Sequence, residues 1–293
     1  MQGHGQTGQQ EDQEAARAQA PQPDEGGRRA RGAAAGRQVY ARAALAAGAA
    51  LAPRVVRALR AALAGAGGAL LPSACALCGS VQRDVVCAPC AADLLRAVRR
   101  CPTCALALGR HFRCPACAAM PPPAFDHAHT LGDYASPQDH LVLGLKFGQA
   151  LPLAGWLAAR LAAELPGAWA EARLAPPDLI APVPLSPQRL AARGFNQAWE
   201  IARPLARRLG LRADPVLLQR QRDTGSQRAL DLAARQVNVR NAFRLSRPSR
   251  LEGLHVALVD DVMTSGATLH EAARVLKAHG AARVSVIIAL RTP

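Results

Sequence analysis

All eight cysteines of the chain fall in Cys-x-x-Cys pairs, a spacing that lets two thiolates bind one metal ion. The four pairs are Cys75/Cys78, Cys87/Cys90, Cys101/Cys104 and Cys114/Cys117. Two pairs supply the four thiolates of a closed tetrahedral site, so the set predicts two structural Zn²⁺ ions that stabilise a segment too small to build its own core. Disulfides and iron–sulfur ligation are the alternatives.

The spacing of the pairs leaves open which of them share a metal. Eight residues separate the first two pairs and nine separate the last two, which favours two sequential sites. A crossed arrangement, in which the first pair joins the third and the second joins the fourth, is the alternative.

Because a disulfide framework needs an oxidising compartment and no convincing secretory signal precedes the cysteines, the sequence predicts a cytoplasmic location.

A second group of reactive side chains follows an apolar run near the C-terminus. Asp260 and Asp261 come directly after residues 254–259, and a loop of small residues then leads into a helical pattern. The loop residues are Thr264, Ser265, Gly266, Ala267 and Thr268. Free backbone N–H groups at a helix N-terminus suit a phosphate, and two neighbouring carboxylates suit a ligand that also carries hydroxyls and Mg²⁺. A phosphorylated ribose has all three features, whereas a simple capping turn is the alternative.

The arginines are concentrated between residues 189 and 250, where 14 of them face four acidic residues. Arg189, Arg193 and Arg222 are candidate contacts for phosphate or pyrophosphate. Residues 220–228 have no apolar pattern, so we expect a mobile loop there, and a track for single-stranded nucleic acid is the alternative. Asn196 is a candidate helix N-cap, and Gln197 is interpreted as facing solvent. Lys146, beside Phe147 on an apolar helix, is interpreted as a surface lysine, and a contact to phosphate or to an acidic partner is the alternative.

Composition limits the classes of function. The chain has 293 residues, and 36 Lys and Arg against 21 Asp and Glu give a net charge of +15, which suits a polyanionic partner. Aromatic residues make up only 3% of the chain, so an extended base-stacking platform is poorly supplied. No apolar run reaches the length of a membrane span.

Alternating strand and helix patterns must position these side chains. The predicted strands are 130–134, 178–183, 254–259 and 284–290, and the predicted helices are 139–147, 153–165, 196–209 and 268–279. Strands separated by helices indicate an α/β domain with a mainly parallel sheet flanked by helices. We therefore predict a disordered or partly helical extension over 1–71, a small Cys-rich zinc-ribbon module over 72–120, and the α/β domain over 124–293, with a proline spacer at 121–123.

Residues 259–268 resemble the motif with which type I phosphoribosyltransferases bind 5-phosphoribosyl-1-pyrophosphate (PRPP). The resemblance implies that Asp260 and Asp261 face the ribose hydroxyls, with Mg²⁺ accompanying the ligand. It also implies that the loop from Thr264 to Thr268 wraps the 5′-phosphate. Ser265 stands where many members have threonine, which keeps the hydroxyl.

Together with the four cysteine pairs, further segments resemble the ComF family, which joins a double zinc ribbon to a phosphoribosyltransferase-like domain. The matching segments are 145–147, 181–185, 193–197, 220–241 and 259–268. The resemblance implies a PRPP-binding protein linked to competence and DNA uptake, with single-stranded DNA and the uptake machinery as partners. An active Mg²⁺-dependent phosphoribosyltransferase acting on an unidentified nucleobase or amine is the alternative.

Overall fold

The computed structural model of the protein describes residues 73–222 and 239–293. The expected N-terminal extension and most of the expected loop over 220–228 lie outside these ranges. None of the helices within them combines the length and the apolar character that crossing a lipid bilayer requires.

The Cys-rich module consists of two short halves. In the first half, β1 (Ser73–Ala74) and β2 (Val81–Gln82) pair antiparallel, and α1 (Ala88–Leu94) follows. In the second half, Arg100 and Ala107 form an isolated bridge before α2 (Pro115–Ala118). Cys87 and Cys114 are the N-cap residues of the two helices, and each is followed by a proline in the first turn, so each of these cysteine pairs spans a helix start.

The second domain is built on a five-stranded sheet. The five strands of the sheet are β3 (His127–Asp133), β4 (Leu179–Pro182), β5 (Arg212–Ala213), β8 (His255–Met263) and β9 (Arg283–Arg291). Two further strands of the described chain are β6 (Leu218–Arg220) and β7 (Phe243–Leu245). The order across the sheet is β3-β9-β8-β4-β5, and all its pairings are parallel. β6 and β7 form a separate antiparallel pair. The prediction of a mainly parallel α/β sheet is confirmed, with β3 at one edge and β5 at the other.

Helices cover both faces of this sheet. They are α3 (Asp139–Phe147), α4 (Pro152–Glu171), α5 (Pro187–Arg193), α6 (Gln197–Leu209) and α7 (Ala267–Ala278). Alternate residues of β8 enter two different cores, because successive side chains of a strand point to opposite faces. Ala257 and Val259 pack with α3, α4 and α6, whereas Val256 and Leu258 pack with α7.

The Cys-rich module contributes to both of these cores rather than standing apart. Cys75, Val86 and Leu94 of its first half join the core that contains α4, and Ala105 of its second half joins the core that contains α7. The module therefore stabilises its few apolar residues by packing them against the sheet domain.

One strand is longer than its sequence pattern indicates. The apolar run ends at Val259, but β8 continues to Met263 because its pairing with β9 continues, with Asp260 opposite Ile288 and Met263 opposite Arg291. Asp260 and Asp261 consequently lie near the C-terminal end of a regular strand, and their side chains point to opposite faces of the sheet.

Candidate functional site

The structure groups the eight cysteines into two clusters of four. The first cluster is Cys75, Cys78, Cys87 and Cys90, and the second is Cys101, Cys104, Cys114 and Cys117. This is the sequential arrangement, and the crossed pairing is wrong because the two halves of the module fold separately along the chain. All eight are free thiols.

The geometry of both clusters fits a tetrahedral zinc ion. The sulfurs of each cluster all lie within 4.8 Å of one another, and measured pairs are Cys78–Cys87 at 3.7 Å, Cys101–Cys117 at 3.8 Å and Cys104–Cys114 at 3.5 Å. Zn–S bonds of about 2.3 Å in a tetrahedron place two sulfurs about 3.8 Å apart. Each cluster thus provides four soft ligands at the separation that zinc requires.

Local hydrogen bonds favour the thiolate of Cys75 in the first cluster, whereas the neighbouring Cys87 raises the pKa of Cys90. Burial acts to raise the pKa of the Cys75 thiol, but backbone N–H groups of Cys78 and Cys87 act against it, and the net effect lowers that pKa to about 6. The Cys87 amide donates to the Cys75 sulfur at 3.4 Å. Hydrogen bonds to the charged form stabilise it, which prepares this residue for metal binding.

Elemental analysis of the purified protein is expected to return about two zinc ions per chain, because each cluster has a complete set of ligands. Thiol alkylation should proceed only after a chelator is added. Iron instead of zinc, or disulfides detected by mass spectrometry under non-reducing conditions, would contradict this assignment.

A cleft of about 600 Å³ opens at the carboxyl ends of β4 and β8. Ligands of open α/β sheets bind at this edge. The cleft is lined by both aspartates and the whole loop from Thr264 to Thr268, and by Arg189 and Arg193 on the opposite side. The structure therefore brings together all but one of the residues predicted to contact PRPP, phosphate or pyrophosphate. The exception is Arg222, which is exposed and donates to the carbonyl of Arg240.

The two aspartates differ in their surroundings. Asp261 is buried, and its carboxylate accepts from the Lys146 ammonium at 3.0 Å. Asp260 is partly buried and accepts from the backbone N–H of Asp261 at 2.9 Å. Burial, and after it the neighbouring carboxylate of Asp261, raises the pKa of Asp260 to about 7, although Lys146 acts to lower it. The cleft thus holds one carboxyl group whose pKa lies near neutral pH.

Gly266 gives the loop after β8 its shape. Its φ of +76° lies in the left-handed region, which a residue with a Cβ adopts only with strain, and it is the N-cap of α7. A Cβ at this position would also lie 3.4 Å from the sulfur of Met263. The N–H groups of the first turn of α7 have no acceptor within the helix, and that of Ala267 donates to the Ser265 hydroxyl at 3.4 Å. Residues of this turn line the cleft.

The opposite wall is built by α5 and the start of α6. The buried Ser186 caps α5 by accepting from the Arg189 N–H at 3.3 Å, and Asn196 caps α6 by accepting from the Ala198 N–H at 3.0 Å. The Asn196 amide also donates to the carbonyl of Val183 at 3.0 Å, which fixes the start of α6 to the end of β4. These caps position the arginines of this wall.

Arg193 is held in place by contacts on two sides. Its guanidinium donates to the Gln197 side chain at 2.6 Å and lies 5.6 Å from the ring centroid of Phe147. Burial lowers its pKa, against the opposing effect of Asp261, and an arginine keeps its charge under such a shift. A cation held in this way loses little side-chain entropy when it binds an anion.

The structure corrects the interpretation of three residues of the cleft. Lys146, interpreted as a surface lysine, is the ion-pair partner of Asp261, and Gln197, interpreted as facing solvent, is a buried partner of Arg193. Arg220, expected at the start of a mobile loop, ends β6, is buried at the cleft wall and lies 5.5 Å from the ring centroid of Phe243. The signal for Lys146 was its place at the end of a helix with an apolar face, next to Phe147.

The chain is similar to several known proteins. Residues 196–293 match the phosphoribosyl transferase domain family. The chain is 37% identical over 226 residues to the DNA utilization protein YhgH of Salmonella typhi, covering 76% of this chain and 98% of that protein. It is 29% identical over 215 residues to Competence protein F of Haemophilus influenzae, covering 72% of this chain and 88% of that one. Among solved structures, a purine phosphoribosyltransferase from Pyrococcus horikoshii is 19% identical, covering 47% of this chain and 83% of its own, with a TM-score of 0.29.

Proposed function

The chain belongs to the ComF family, and from this premise we propose that its cleft binds Mg²⁺ and PRPP at the carboxyl end of β8. The observation that carries the proposal is the presence of two charge types in one cleft. Asp260 and Asp261 lie on one side, and Arg189 and Arg193 lie on the other. PRPP needs both, because its ribose hydroxyls and metal ion suit carboxylates, and its phosphate groups suit guanidinium groups.

Each part of the ligand has a set of residues to receive it. We assign the 5′-phosphate to the loop from Thr264 to Thr268, whose free N–H groups at the start of α7 suit an anion. The pyrophosphate is assigned to Arg189 and Arg193, and Arg222 stands outside the cleft in this conformation. Carboxylate oxygens are the ligands that Mg²⁺ prefers, so Asp260 and Asp261 fit it together with the ribose hydroxyls.

Lys146 has a specific part in this proposal. It neutralises Asp261 while the cleft is empty, which limits the repulsion between the adjacent carboxylates. With a divalent cation held at the carboxylates, Lys146 would be available to contact the negatively charged ligand. The residue thereby compensates charge in both states.

A role in the handling of DNA is the second part of the proposal. The names DNA utilization protein and Competence protein F describe those proteins, and we extend that role to this chain. The net charge of +15 suits DNA and the uptake machinery as partners. A cytoplasmic location is part of the same proposal, since free thiols and zinc sites of this type persist in a reducing compartment.

The affinity for Mg²⁺-PRPP is expected to rise with pH and to level off above about pH 8. Because the pKa of Asp260 is raised to about 7 in the empty cleft and binding requires its charged form, binding below that pH releases a proton. Affinity should fall by up to about tenfold for each pH unit below 7. Isothermal titration calorimetry in buffers of different ionisation enthalpy measures both the affinity and the protons released.

Titration of Mg²⁺-PRPP alone over the same range provides the correction for the ligand's own phosphate protonation. The absence of a binding heat at every pH would contradict the proposal.

Incubation with Mg²⁺, PRPP and a panel of nucleobases and amines tests the alternative, because steady release of pyrophosphate would identify a transferase.

A further inference from the structure

The second half of the Cys-rich module presents an aromatic ring to solvent. Phe112 is 91% exposed, more than any other large apolar side chain within 73–222 and 239–293. Placing a phenyl ring in water forgoes the stabilisation that burial would give it. A single exposed apolar residue is common, so its meaning depends on what surrounds it.

Hydrogen bonds fix the backbone beneath the ring, and one guanidinium contacts the ring itself. The Arg99 guanidinium lies 5.6 Å from its centroid and donates to the carbonyl of His111 at 2.6 Å. The backbone N–H of His111 donates to Leu108, and the N–H of Leu108 donates to Arg99, so the segment that carries the ring is closed by hydrogen bonds at its base. Cys114, two residues beyond Phe112, is a member of the second cysteine cluster. A surface ordered in advance loses little conformational entropy on binding.

The surroundings of the ring are positively charged. Between Asp93 and Asp126 the chain has no acidic residue, and it has five arginines. They are Arg96, Arg99, Arg100, Arg110 and Arg113. Two of them pair with aspartates, Arg96 with Asp93 and Arg100 with Asp133. The other three are exposed, and among the described residues they have no carboxylate partner.

We propose that Phe112 with Arg99, Arg110 and Arg113 forms a contact surface for single-stranded nucleic acid. An unpaired base stacks on the open face of the ring, and the arginines contact the neighbouring phosphates. A duplex keeps its base faces covered, and an acidic peptide would use the charges but not the ring, so the combination favours a single strand. The inference rests on the proposed role in DNA handling and is independent of the residues that form the cleft.

The test uses the full-length, zinc-loaded protein and a fluorescently labelled oligothymidine, with binding followed by anisotropy. Phe112→Ala should weaken binding about tenfold, whereas Phe112→Trp should retain it, because stacking on an aromatic side chain is lost in the first variant only. Val81→Ala is the matched control, since Val81 is 75% exposed in the first half of the module and should have no effect. Arg110→Gln with Arg113→Gln should reduce the slope of log affinity against log salt concentration by about 1.4.

Several outcomes would overturn the surface. One is oligothymidine binding that Phe112→Ala leaves unchanged, and another is wild-type affinity in Phe112→Leu, which is apolar but cannot stack. Equal competition by duplex DNA or by polyglutamate would do the same. If the wild-type chain binds no oligothymidine, both the surface and the DNA role fail, whereas calorimetry with Mg²⁺-PRPP tests the cleft separately. Tighter binding of oligouridine would support the surface and overturn the DNA role.

Discussion

Replacing Asp260 with Asn is expected to abolish Mg²⁺-dependent PRPP binding and, at the same time, to raise the thermal stability of the ligand-free protein at pH 8. The loss of binding follows because an amide cannot supply the negative charge that a divalent cation requires. The gain in stability follows from the electrostatics of the empty cleft. Burial, and then the neighbouring Asp261, raises the pKa of Asp260 to about 7, well above its ordinary value.

The sign of the stability change follows from the direction of the pKa shift. An acid whose pKa is higher in the folded state favours folding while it is protonated in both states. That contribution is complete below the unfolded pKa and is lost as the pH rises through about 7. Asparagine remains neutral and avoids the loss. Allowing for partial solvent exposure of Asp260, the gain at pH 8 is on the order of 2 kcal/mol, or about 5 °C in melting temperature.

Two further variants make this prediction specific. Asp93→Asn, at an exposed ion pair with Arg96, should change neither PRPP binding nor the melting temperature. Lys146→Gln should lower the melting temperature at pH 8, because Asp261 loses its cation. Calorimetry and thermal unfolding at pH 5 and pH 8 provide the measurements. PRPP binding by Asp260→Asn at wild-type strength would remove Asp260 from the site, and a lower melting temperature at pH 8 would refute the electrostatic argument.

Elements with strong local signals could be predicted from the sequence. The helix expected over 139–147 is α3 (Asp139–Phe147), and Asn196 caps α6 as expected, because side-chain capping and apolar periodicity depend on neighbouring residues. The cysteine spacing likewise indicated two four-cysteine sites, although it left open which pairs share a site until the structure grouped them. The predicted assignment of the ligand groups to Asp260, Asp261 and the loop remains a prediction, although the structure places these residues in one cleft.

Features that depend on packing between distant segments were not predictable. Lys146 and Asp261 are 115 positions apart, and their contact exists because α3 packs against the same face of the sheet as α4 and α6. The extension of β8 past Val259 depends on its register with β9, which no local pattern encodes. Likewise, the attachment of the zinc module to the cores of the sheet domain depends on scattered residues such as Val86 and Ala105.

A buried arginine joins the second zinc cluster to the loop after β8. Arg291 is 7% exposed, and its Nε donates to the carbonyl of Cys104 at 2.9 Å. Its Nη1 donates to the carbonyl of Met263 at 3.0 Å. Met263 also contacts the position where a Cβ on Gly266 would lie. One side chain thus fixes the backbone of a cysteine knuckle and the backbone from which the phosphate loop begins.

Arg291→Ala is therefore expected to weaken both sites at once. The carbonyl of Cys104 loses its arginine donor, whereas that of Met263 keeps the Thr292 N–H at 3.0 Å. The lost bond costs about 1–3 kcal/mol, so the melting temperature should fall by about 5 °C. One of the two zinc ions should be released to a colorimetric chelator markedly faster than in the wild type, and the affinity for Mg²⁺-PRPP should decrease. Arg283→Ala, at the opposite end of β9, is the matched control and should change none of these.

The pattern of zinc release decides whether Arg291 couples the two sites. If the arginine acts only through general packing, Arg291→Ala lowers the melting temperature while both zinc ions keep wild-type release rates and PRPP affinity is unchanged. If it acts as the structure indicates, the faster release is confined to the second cluster, because Cys104 belongs to that cluster and the first is carried by α1 and its neighbours. Cys78→Ser, which disables the first cluster, identifies which ion is lost, because in that background the single remaining zinc should be the one sensitive to Arg291→Ala.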